Sequence, residues 1–363
     1  MRAAVLAGRG KIERRELPQP AILKETDVLL RVRTVGICGS DLHYFNEECV
    51  GDTRVVYPVV LGHECAAVVE ATGSGVRRVR PGDPVAVEPA VSCGACDQCR
   101  SGRPHTCRAL SFLGHPEERS GALAEFIVMP EENCHPLPEG LTFARATLAE
   151  PLSIALHAVN LAGNLDGGTA AVLGSGPIGL AVARMARIGR AAAVYMTDPV
   201  EARARAAIRY AGAVWAGNPL ETDIVREILR RTPEGLDVVF ECCGKQEALD
   251  QAVELLKPGG TLVLVGIPVA GRVSFDISRL RRRELRIQNV RRQNRCLGPA
   301  LRMIADGRID LDFMLTHVFP FGRVQEAFET VLHYRDGVLK ALVEIDRNYG
   351  NGTIERRPSS PMM

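Results

Sequence analysis

The sequence has few aromatic residues, almost no net charge and no long hydrophobic run. Phe, Trp and Tyr make up 5% of the 363 residues, with a single Trp, and 45 Lys and Arg stand against 43 Asp and Glu. Because positive and negative charges nearly cancel, the composition argues against a protein that binds nucleic acid electrostatically. The longest uncharged, mostly apolar stretch, about Gly259–Gly271, is shorter than the roughly 20 residues needed to span a bilayer. We therefore expect no nucleic-acid and no membrane partner.

The first residues, Met1–Leu6, form only a short apolar run. They lack the longer apolar core of a secretory signal. We therefore expect a cytoplasmic protein. A hydrophobic fraction of 46% and a charged fraction of 24% are typical of globular chains. At about 150 residues per domain, the length predicts two domains or three.

Cysteine is the residue type with the most informative distribution. Eleven cysteines cannot all pair within one chain, and four of them form the pattern Cys93-x2-Cys96-x2-Cys99-x7-Cys107. Clustered cysteines in a chain without an export signal indicate metal ligands rather than disulfides. Four thiolates complete a tetrahedral zinc site and leave no open position, so the pattern predicts a structural zinc. The spacing does not match the two knuckles of a nucleic-acid zinc ribbon.

The pattern of apolar residues along the chain changes near residue 170. The first part has short β-type runs broken by glycine, among them Val28–Val35 and Val55–Leu61, and predicts a β-rich region. Apolar runs then alternate with amphipathic helical stretches, which predicts a doubly wound parallel sheet of six strands. The predicted strands are 170–173, 192–197, 214–216, 236–240, 261–265 and 285–290. The last crossover, about 271–283, carries no strong helix signal.

A glycine-rich turn, Gly174-Ser175-Gly176-Pro177-Ile178-Gly179, follows the first of these strands and opens a helix. In a dinucleotide site Gly174 allows the tight turn, Gly176 lets the backbone approach a pyrophosphate, and Gly179 lets the helix pack on the sheet. The helix N-terminus, beginning at Pro177 and Ile178, presents free N–H groups to the anion. This context predicts a nicotinamide dinucleotide cofactor.

Asp198, at the end of the next predicted strand, favours NAD over NADP. A carboxylate there accepts hydrogen bonds from ribose hydroxyls and repels a 2′-phosphate. The alternative is that Asp198 serves only to cap the following helix. Arg203 and Arg205 lie just beyond it and could hold a 2′-phosphate, so NADP stays open as the alternative cofactor.

A second constellation, Cys38-Gly39-Ser40-Asp41-Leu42-His43-Tyr44 followed by Gly62-His63-Glu64, offers a thiolate and an imidazole for another metal. With Pro81-Gly82-Asp83, the cysteine cluster and the glycine-rich turn in the same order, the sequence resembles a zinc-dependent medium-chain dehydrogenase/reductase of the alcohol dehydrogenase superfamily. Within it, the first heptapeptide and Ala149-Glu150-Pro151-Leu152-Ser153 are most similar to the polyol branch of sorbitol, xylitol and L-idonate dehydrogenases.

The resemblance covers about residues 2–346 and implies an α/β fold with two parts. A GroES-like β-rich catalytic domain spans 1–155, with a structural zinc lobe at 90–110, and resumes at 291–347. A Rossmann NAD-binding domain occupies 156–290, and 348–363 forms a flexible tail. The family also suggests a homotetramer or homodimer.

The resemblance further implies the parts of a catalytic zinc site. Cys38 and His63 bind the zinc, and Glu64 and Glu150 are its candidate carboxylates, the choice between them being open. Ser40 takes the proton of the alcohol, and His43 passes it outward through the cofactor ribose. The resemblance also implies residues that bind the cofactor, namely Gly174, Gly176, Pro177, Ile178, Gly179, Asp198, Arg203 and Lys340. It implies that the substrate is bound by Tyr44, Phe112 and Arg291.

These residues predict a zinc-dependent alcohol dehydrogenase that passes hydride from a secondary alcohol of a polyol or sugar acid to NAD. The residue after Arg291 is Arg292, where sorbitol dehydrogenases often have an aromatic residue, which leaves an acidic sugar or a solvated arginine as explanations. The alternatives are the same chemistry on L-threonine or butanediol, a non-catalytic zinc-stabilised binding protein, and a zinc-free quinone reductase.

Overall fold

The computed structural model describes residues 1–47, 49–50, 53–268 and 271–345. The strands are β1 (Arg2–Gly8), β2 (Lys11–Glu16), β3 (Asp27–Gly36), β4 (Cys49–Val50), β5 (Thr53–Arg54), β6 (Val59–Val60), β7 (Glu64–Thr72), β8 (Pro84–Val87), β9 (Ala90–Val91), β10 (Ser111–Phe112), β11 (Phe126–Pro130), β12 (Cys134–Pro136), β13 (Thr169–Leu173), β14 (Ala193–Thr197), β15 (Trp215–Gly217), β16 (Leu236–Glu241), β17 (Leu256–Leu264), β18 (Arg286–Asn289), β19 (Leu315–Pro320) and β20 (Lys340–Glu344). The helices are α1 (Gly39–Asn46), α2 (Asp97–Arg100), α3 (Phe143–Thr147), α4 (Ala149–Ala162), α5 (Pro177–Ile188), α6 (Glu201–Ala206), α7 (Ile224–Arg231), α8 (Gln246–Leu255), α9 (Ile277–Arg282), α10 (Leu297–Ala305) and α11 (Val324–Leu332).

The second half of the chain is built on a six-stranded parallel sheet in the order β15-β14-β13-β16-β17-β18. Its two faces are covered by helices, because apolar residues recur at helical spacing in the connections between strands. On one face α4, α5 and α10 pack on the sheet, and on the other the buried Ile224 and Ile228 of α7 lie with α8. The predicted doubly wound sheet is confirmed.

The order of this sheet reverses direction between β13 and β16, which lie side by side. In open parallel sheets such a reversal leaves a crevice beyond the carboxyl ends of the two strands, and ligands bind there. The glycine-rich turn follows β13 directly, so the fold places it at this crevice.

The β-rich part centres on a sheet of seven strands in which β12, β8, β7, β3, β20 and β19 follow one another and β11 pairs with β3. Strand β20, near the end of the described chain, is antiparallel to β3, with Leu342 opposite Gly36. The last segment therefore returns to the first part of the chain. This pairing brings Lys340 and the end of β3 together beneath the candidate metal site.

Two local predictions differ from the structure. The run Val55–Leu61 forms only the short strand β6, because Pro58 has no N–H to donate to a ladder. The crossover at 271–283 contains α9, whose N-terminus is capped by the Asp276 carboxylate accepting from the N–H groups of Ser278 and Arg279. The Asp276 cap was the signal for this helix.

The predicted domain limits stay predictions. The limit at 155 falls inside α4, and the limit at 290 falls directly after β18. The proposed tail at 348–363 lies outside the described residues. Among the described residues, no helix has both the length and the apolar character to cross a membrane.

Candidate functional site

Three side chains from neighbouring strand ends form a compact group of metal donors. Cys38 precedes α1 at the end of β3, and His63 and Glu64 stand at the start of β7, where Gly36 is paired with Glu64. The Cys38 thiol, a His63 ring nitrogen and a Glu64 carboxylate oxygen all lie within 4.8 Å of one another. Sulfur, imidazole and carboxylate are the donors that zinc accepts in catalytic sites. The residues present fit a zinc ion.

Asp41 orients this group, a role that the sequence analysis did not assign. Its Oδ1 lies 3.4 Å from Nδ1 of His63, and its carboxylate accepts the N–H groups of Cys38 at 3.0 Å and Gly62 at 3.2 Å. Burial raises the pKa of Asp41, but His63 and these hydrogen bonds outweigh it and lower the pKa. A carboxylate behind a metal-binding imidazole fixes its ring orientation. Its place inside the Cys38 heptapeptide was the signal for it.

Lys340 contacts the metal donor group through Glu64. Its buried Nζ donates to Oε1 of Glu64 at 2.6 Å and to the carbonyl of Ile37 at 3.0 Å. Burial lowers the pKa of Lys340, but the charges of Glu64 and Cys38 raise it overall. The expected contact of Lys340 with the cofactor phosphates stays a prediction. Lys340 balances the charge of Glu64, because β20 is the neighbour of β3.

Gly36 is a further residue that the site requires. A side chain at this position would collide with the Glu64 carboxylate, and its Cβ would also lie 3.1 Å from a methyl carbon of Thr147. The missing side chain leaves room for the pair that Glu64 forms with Lys340. No sequence motif pointed to this role.

Glu150 lies buried in the first turn of α4, outside the group that Cys38, His63 and Glu64 form. Burial raises its pKa to about 7, a change that His63 opposes and Glu64 reinforces. Glu88, at the end of the buried strand β8, has its pKa raised to about 8 by burial and by Glu150. Glu150 thus lies near the metal donors, Glu88 lies near Glu150, and burial favours the neutral form of both carboxyl groups.

The residues expected to bind substrate are only partly brought together. The ring of Phe112 lies 5.1 Å from that of His63, which makes Phe112 one wall of the site. Tyr44 is half-buried, with its ring edge-on to His115 at 5.9 Å. Arg291, in contrast, is exposed.

Arg292, the residue after Arg291, lies against Phe112. Its guanidinium lies 3.6 Å from the centroid of the Phe112 ring, and its Nη1 is buried without a hydrogen-bond partner in the described part of the chain. Burial and the charge of Arg291 lower its pKa to about 10. Arg292 has a left-handed backbone, with φ of +52°. Such a turn changes which of two adjacent side chains faces inward, so Arg292 faces Phe112 while Arg291 is exposed.

Ser40 and His43 lie on α1, directly beyond Cys38. Both are half-buried, and burial lowers the pKa of His43. A neutral imidazole near the surface is suited to exchange protons with water. The relay between these two residues stays a prediction.

The four clustered cysteines are brought together as a second donor group. All four sulfurs lie within 4.8 Å of one another, with 3.6 Å between Cys96 and Cys99 and 3.9 Å between Cys96 and Cys107. Hydrogen bonds from backbone N–H groups lower the pKa of Cys96 to about 6. Four convergent thiols around one point fit a closed tetrahedral zinc site.

The glycine-rich turn has the geometry expected of a phosphate-binding loop. Gly174 adopts a φ of +102° against the backbone of Cys242, and a side chain at Gly179 would collide with the carbonyl of Gly174. Helix α5 begins at Pro177, with Gly176 before it and Ile178 half-buried behind it. The turn is thus held close to the helix N-terminus, where free N–H groups face the crevice.

Asp198 lies beside this turn and is buried. Its Oδ2 accepts the N–H of Ser175 at 2.8 Å, and its Oδ1 accepts that of Val200, also at 2.8 Å. The carboxylate therefore joins the glycine-rich turn to the segment that starts α6, and its contact with the cofactor ribose stays a prediction. Arg203 of α6 lies 4.0 Å from the same carboxylate and close to Gly176.

Comparison with known proteins agrees with this geometry. Residues 24–139 match the alcohol dehydrogenase GroES-like domain, and residues 177–306 match the zinc-binding dehydrogenase family. Sorbitol dehydrogenase of Bacillus subtilis (strain 168) is 34% identical over 348 residues, which cover 96% of this chain and 98% of that protein. These matches confirm the predicted fold class and the resemblance to the polyol branch.

Two solved structures are similar over the same length. L-idonate 5-dehydrogenase of Escherichia coli superposes with a TM-score of 0.86 at 26% identity, covering 95% of this chain and 98% of that one. A protein of Sinorhizobium meliloti 1021, named a zinc-binding dehydrogenase and bound to NADP, superposes with a TM-score of 0.86 at 32% identity, covering 95% and 99%. The chain therefore belongs to the zinc-binding medium-chain dehydrogenases of the alcohol dehydrogenase family, oxidoreductases that combine zinc with a nicotinamide cofactor and a small-molecule substrate.

Proposed function

We propose that this protein oxidises a secondary alcohol of a polyol or sugar acid to the ketone with NAD as the acceptor. The observation that carries the proposal is the donor group of Cys38, His63 and Glu64, bordered by Phe112 and by Arg292, whose Nη1 has no hydrogen-bond partner among the described residues. Relatives that act on sorbitol and L-idonate support this substrate class. The sites for one catalytic and one structural zinc per chain belong to the proposal.

Each part of the site has a task in this reaction. Cys38, His63 and Glu64 hold the catalytic zinc, and Glu150 faces it as a further carboxylate. Bound zinc makes an alcohol hydroxyl more acidic, and bound nicotinamide accepts the hydride. Ser40 accepts the hydroxyl proton on its Oγ as it gives up its own hydroxyl proton to the relay, and His43 passes a proton on to water. Phe112 excludes water from one side of the reacting carbon.

Arg292 and Tyr44 recognise the rest of the substrate in this proposal. A guanidinium donates several hydrogen bonds in fixed directions, and a phenol both donates and accepts, which suits a chain of hydroxyl groups. Arg292 is also positive, so a carboxylate at the far end of a sugar acid would be favoured over a neutral end.

Replacing Arg292 by Lys tests its role. We expect KM for the preferred polyol to rise about tenfold, because the lysine keeps the charge but loses the fork of donors. The rate with 2-butanol, which has no further hydroxyls, should stay the same. Arg291→Lys is the matched control and should change neither value. An equal loss of kcat/KM with 2-butanol and with the polyol would show that Arg292 supports the structure of the site and does not recognise the further hydroxyl groups of the substrate.

Replacing Asp198 by Ala tests the choice of cofactor. We expect the preference for NAD over NADP to fall at least about tenfold, since a charged acceptor for the ribose hydroxyls is lost with its repulsion of a 2′-phosphate. Titrations of NADH and NADPH fluorescence measure both dissociation constants. A ratio unchanged from that of the wild type would remove Asp198 from the cofactor site.

The whole proposal is tested by initial rates with NAD over sorbitol, xylitol, L-idonate, L-threonine, butanediol and 2-butanol, with metal content determined on the same sample. Turnover of a polyol or sugar acid by a sample with two zinc ions per chain is the expected result. Turnover of L-threonine or butanediol alone would leave the reaction and overturn the substrate class. A cytoplasmic location and a homotetramer or homodimer complete the proposal.

A further inference from the structure

Arg203 is held more tightly than its place on an outer helix requires. Its guanidinium carbon lies 4.5 Å from the centroid of the Tyr334 ring, and its Nη1 lies 4.0 Å from Oδ2 of Asp198. The side chain is only 14% exposed. Its Nε is buried without a hydrogen-bond partner among the described residues. A donor is thus left free beside the glycine-rich turn, next to Gly176.

Tyr334 reaches Arg203 from a distant part of the chain. It follows α11, in the segment that leads back to β20, and it has a left-handed backbone with φ of +52°. Asp336 has the same conformation, with φ of +54°. Two left-handed residues without the freedom of glycine carry a conformational cost, and such strain persists where surrounding contacts hold it.

The contact that holds this segment is with α6 itself. A Cβ at Gly337 would lie 3.7 Å from the Cβ of Ala202, so the backbone after Tyr334 packs directly against the helix that carries Arg203. The other arginine of the helix behaves differently. Arg205 pairs with Glu201 at 3.3 Å and is 63% exposed, so it points to solvent.

We propose that Tyr334 is a positioning residue that sets the cofactor preference by fixing Arg203. The ring face and the Asp198 carboxylate hold the guanidinium from two sides, where its donors meet the ribose hydroxyls and phosphates shared by both cofactors. A free arginine at this site could turn outward and pair with a 2′-phosphate. The inference rests on the proposed use of NAD.

Four variants test this inference: Tyr334→Ala, Tyr334→Phe, Arg203→Ala, and the double variant that combines Tyr334→Ala with Arg203→Ala. Dissociation constants for NADH and NADPH are measured by fluorescence titration of the full chain. We expect Tyr334→Ala to weaken NADH binding about fivefold, because one partly desolvated cation–π contact is lost. NADPH binding should be weakened less. Tyr334→Phe keeps the ring face and should bind both cofactors as the wild type does.

The double variant separates positioning from general support. If Tyr334 acts through Arg203, the double variant loses no more NADH affinity than Arg203→Ala alone. Tyr210→Ala is the matched control, because Arg209 lies 5.1 Å from that ring and both residues are exposed. It should change neither constant.

The outcomes are distinct. Unchanged NADH binding in Tyr334→Ala, an equal loss for both cofactors, or a loss in Tyr334→Phe as large as in Tyr334→Ala would each overturn the inference. A wild-type chain that binds NADPH but not NADH would instead overturn the proposed use of NAD, and the inference with it.

Discussion

Replacing His63 by Ala is expected to abolish turnover, by at least about a thousandfold, because a catalytic zinc contributes several kcal/mol to the transition state. The variant should contain one zinc ion per chain in place of two. NADH affinity should remain within about twofold of the wild type, because the donor group and the glycine-rich turn are separate sites. Metal analysis, initial rates and NADH titration on one preparation measure all three quantities.

A matched histidine sharpens this test. His135 lies on β12, at an edge of the large sheet, and His135→Ala should keep both zinc ions and full turnover. Loss of NADH affinity in His63→Ala would show that His63 was assigned to the wrong site. A wild type with a single zinc, lost only when the clustered cysteines are changed, would favour the non-catalytic binding protein.

Replacing Cys96 by Ser is expected to have the largest effect on stability. The segment that carries the four thiols contains the short helix α2, none of whose residues is buried, so metal binding supplies much of its folding free energy. We expect the zinc content to fall from two to one and Tm to fall by about 10 °C or more. Differential scanning calorimetry and metal analysis of the same sample measure the change.

The contrast between the two zinc sites is the decisive part of this second experiment. His63→Ala should lower turnover with little change in Tm, because β3 and β7 have a buried core of their own. Cys243→Ser, at an exposed cysteine outside the cluster, is the control and should keep both zinc ions. A Cys96→Ser protein with unchanged zinc content and Tm would contradict a structural zinc at this place.

Local patterns carried most of what the sequence could predict. The glycine-rich turn, the four-cysteine cluster and the pair His63-Glu64 are short segments whose residue types fix both conformation and chemistry. The alternation of apolar runs and helical stretches was enough for the parallel sheet, because each βα unit buries one continuous face. These features depend on neighbours in the chain, which a sequence displays directly.

What the sequence did not reveal depends on contacts between distant segments. Lys340 lies at Glu64 because β20 pairs with β3, and no spacing in the sequence encodes that pairing. Arg292 faces Phe112 while Arg291 is exposed, because Arg292 has a left-handed backbone. Asp41 and Gly36 act through atoms that meet only after β3 and β7 align. Such roles require coordinates.

The pairing of β20 with β3 also has a consequence for synthesis of the protein. Cys38, His63 and Glu64 leave the ribosome early, whereas the ammonium group that neutralises Glu64 is made nearly three hundred residues later. Until then the growing polypeptide has the Glu64 carboxylate without its counter-ion at a position that is buried in the folded protein. Burial of an unpaired charge is unfavourable, so packing of β3 and β7 around this site is disfavoured. Maturation of the centre is thereby deferred until β20 has been synthesised, and a chain that terminates before Lys340 cannot complete it.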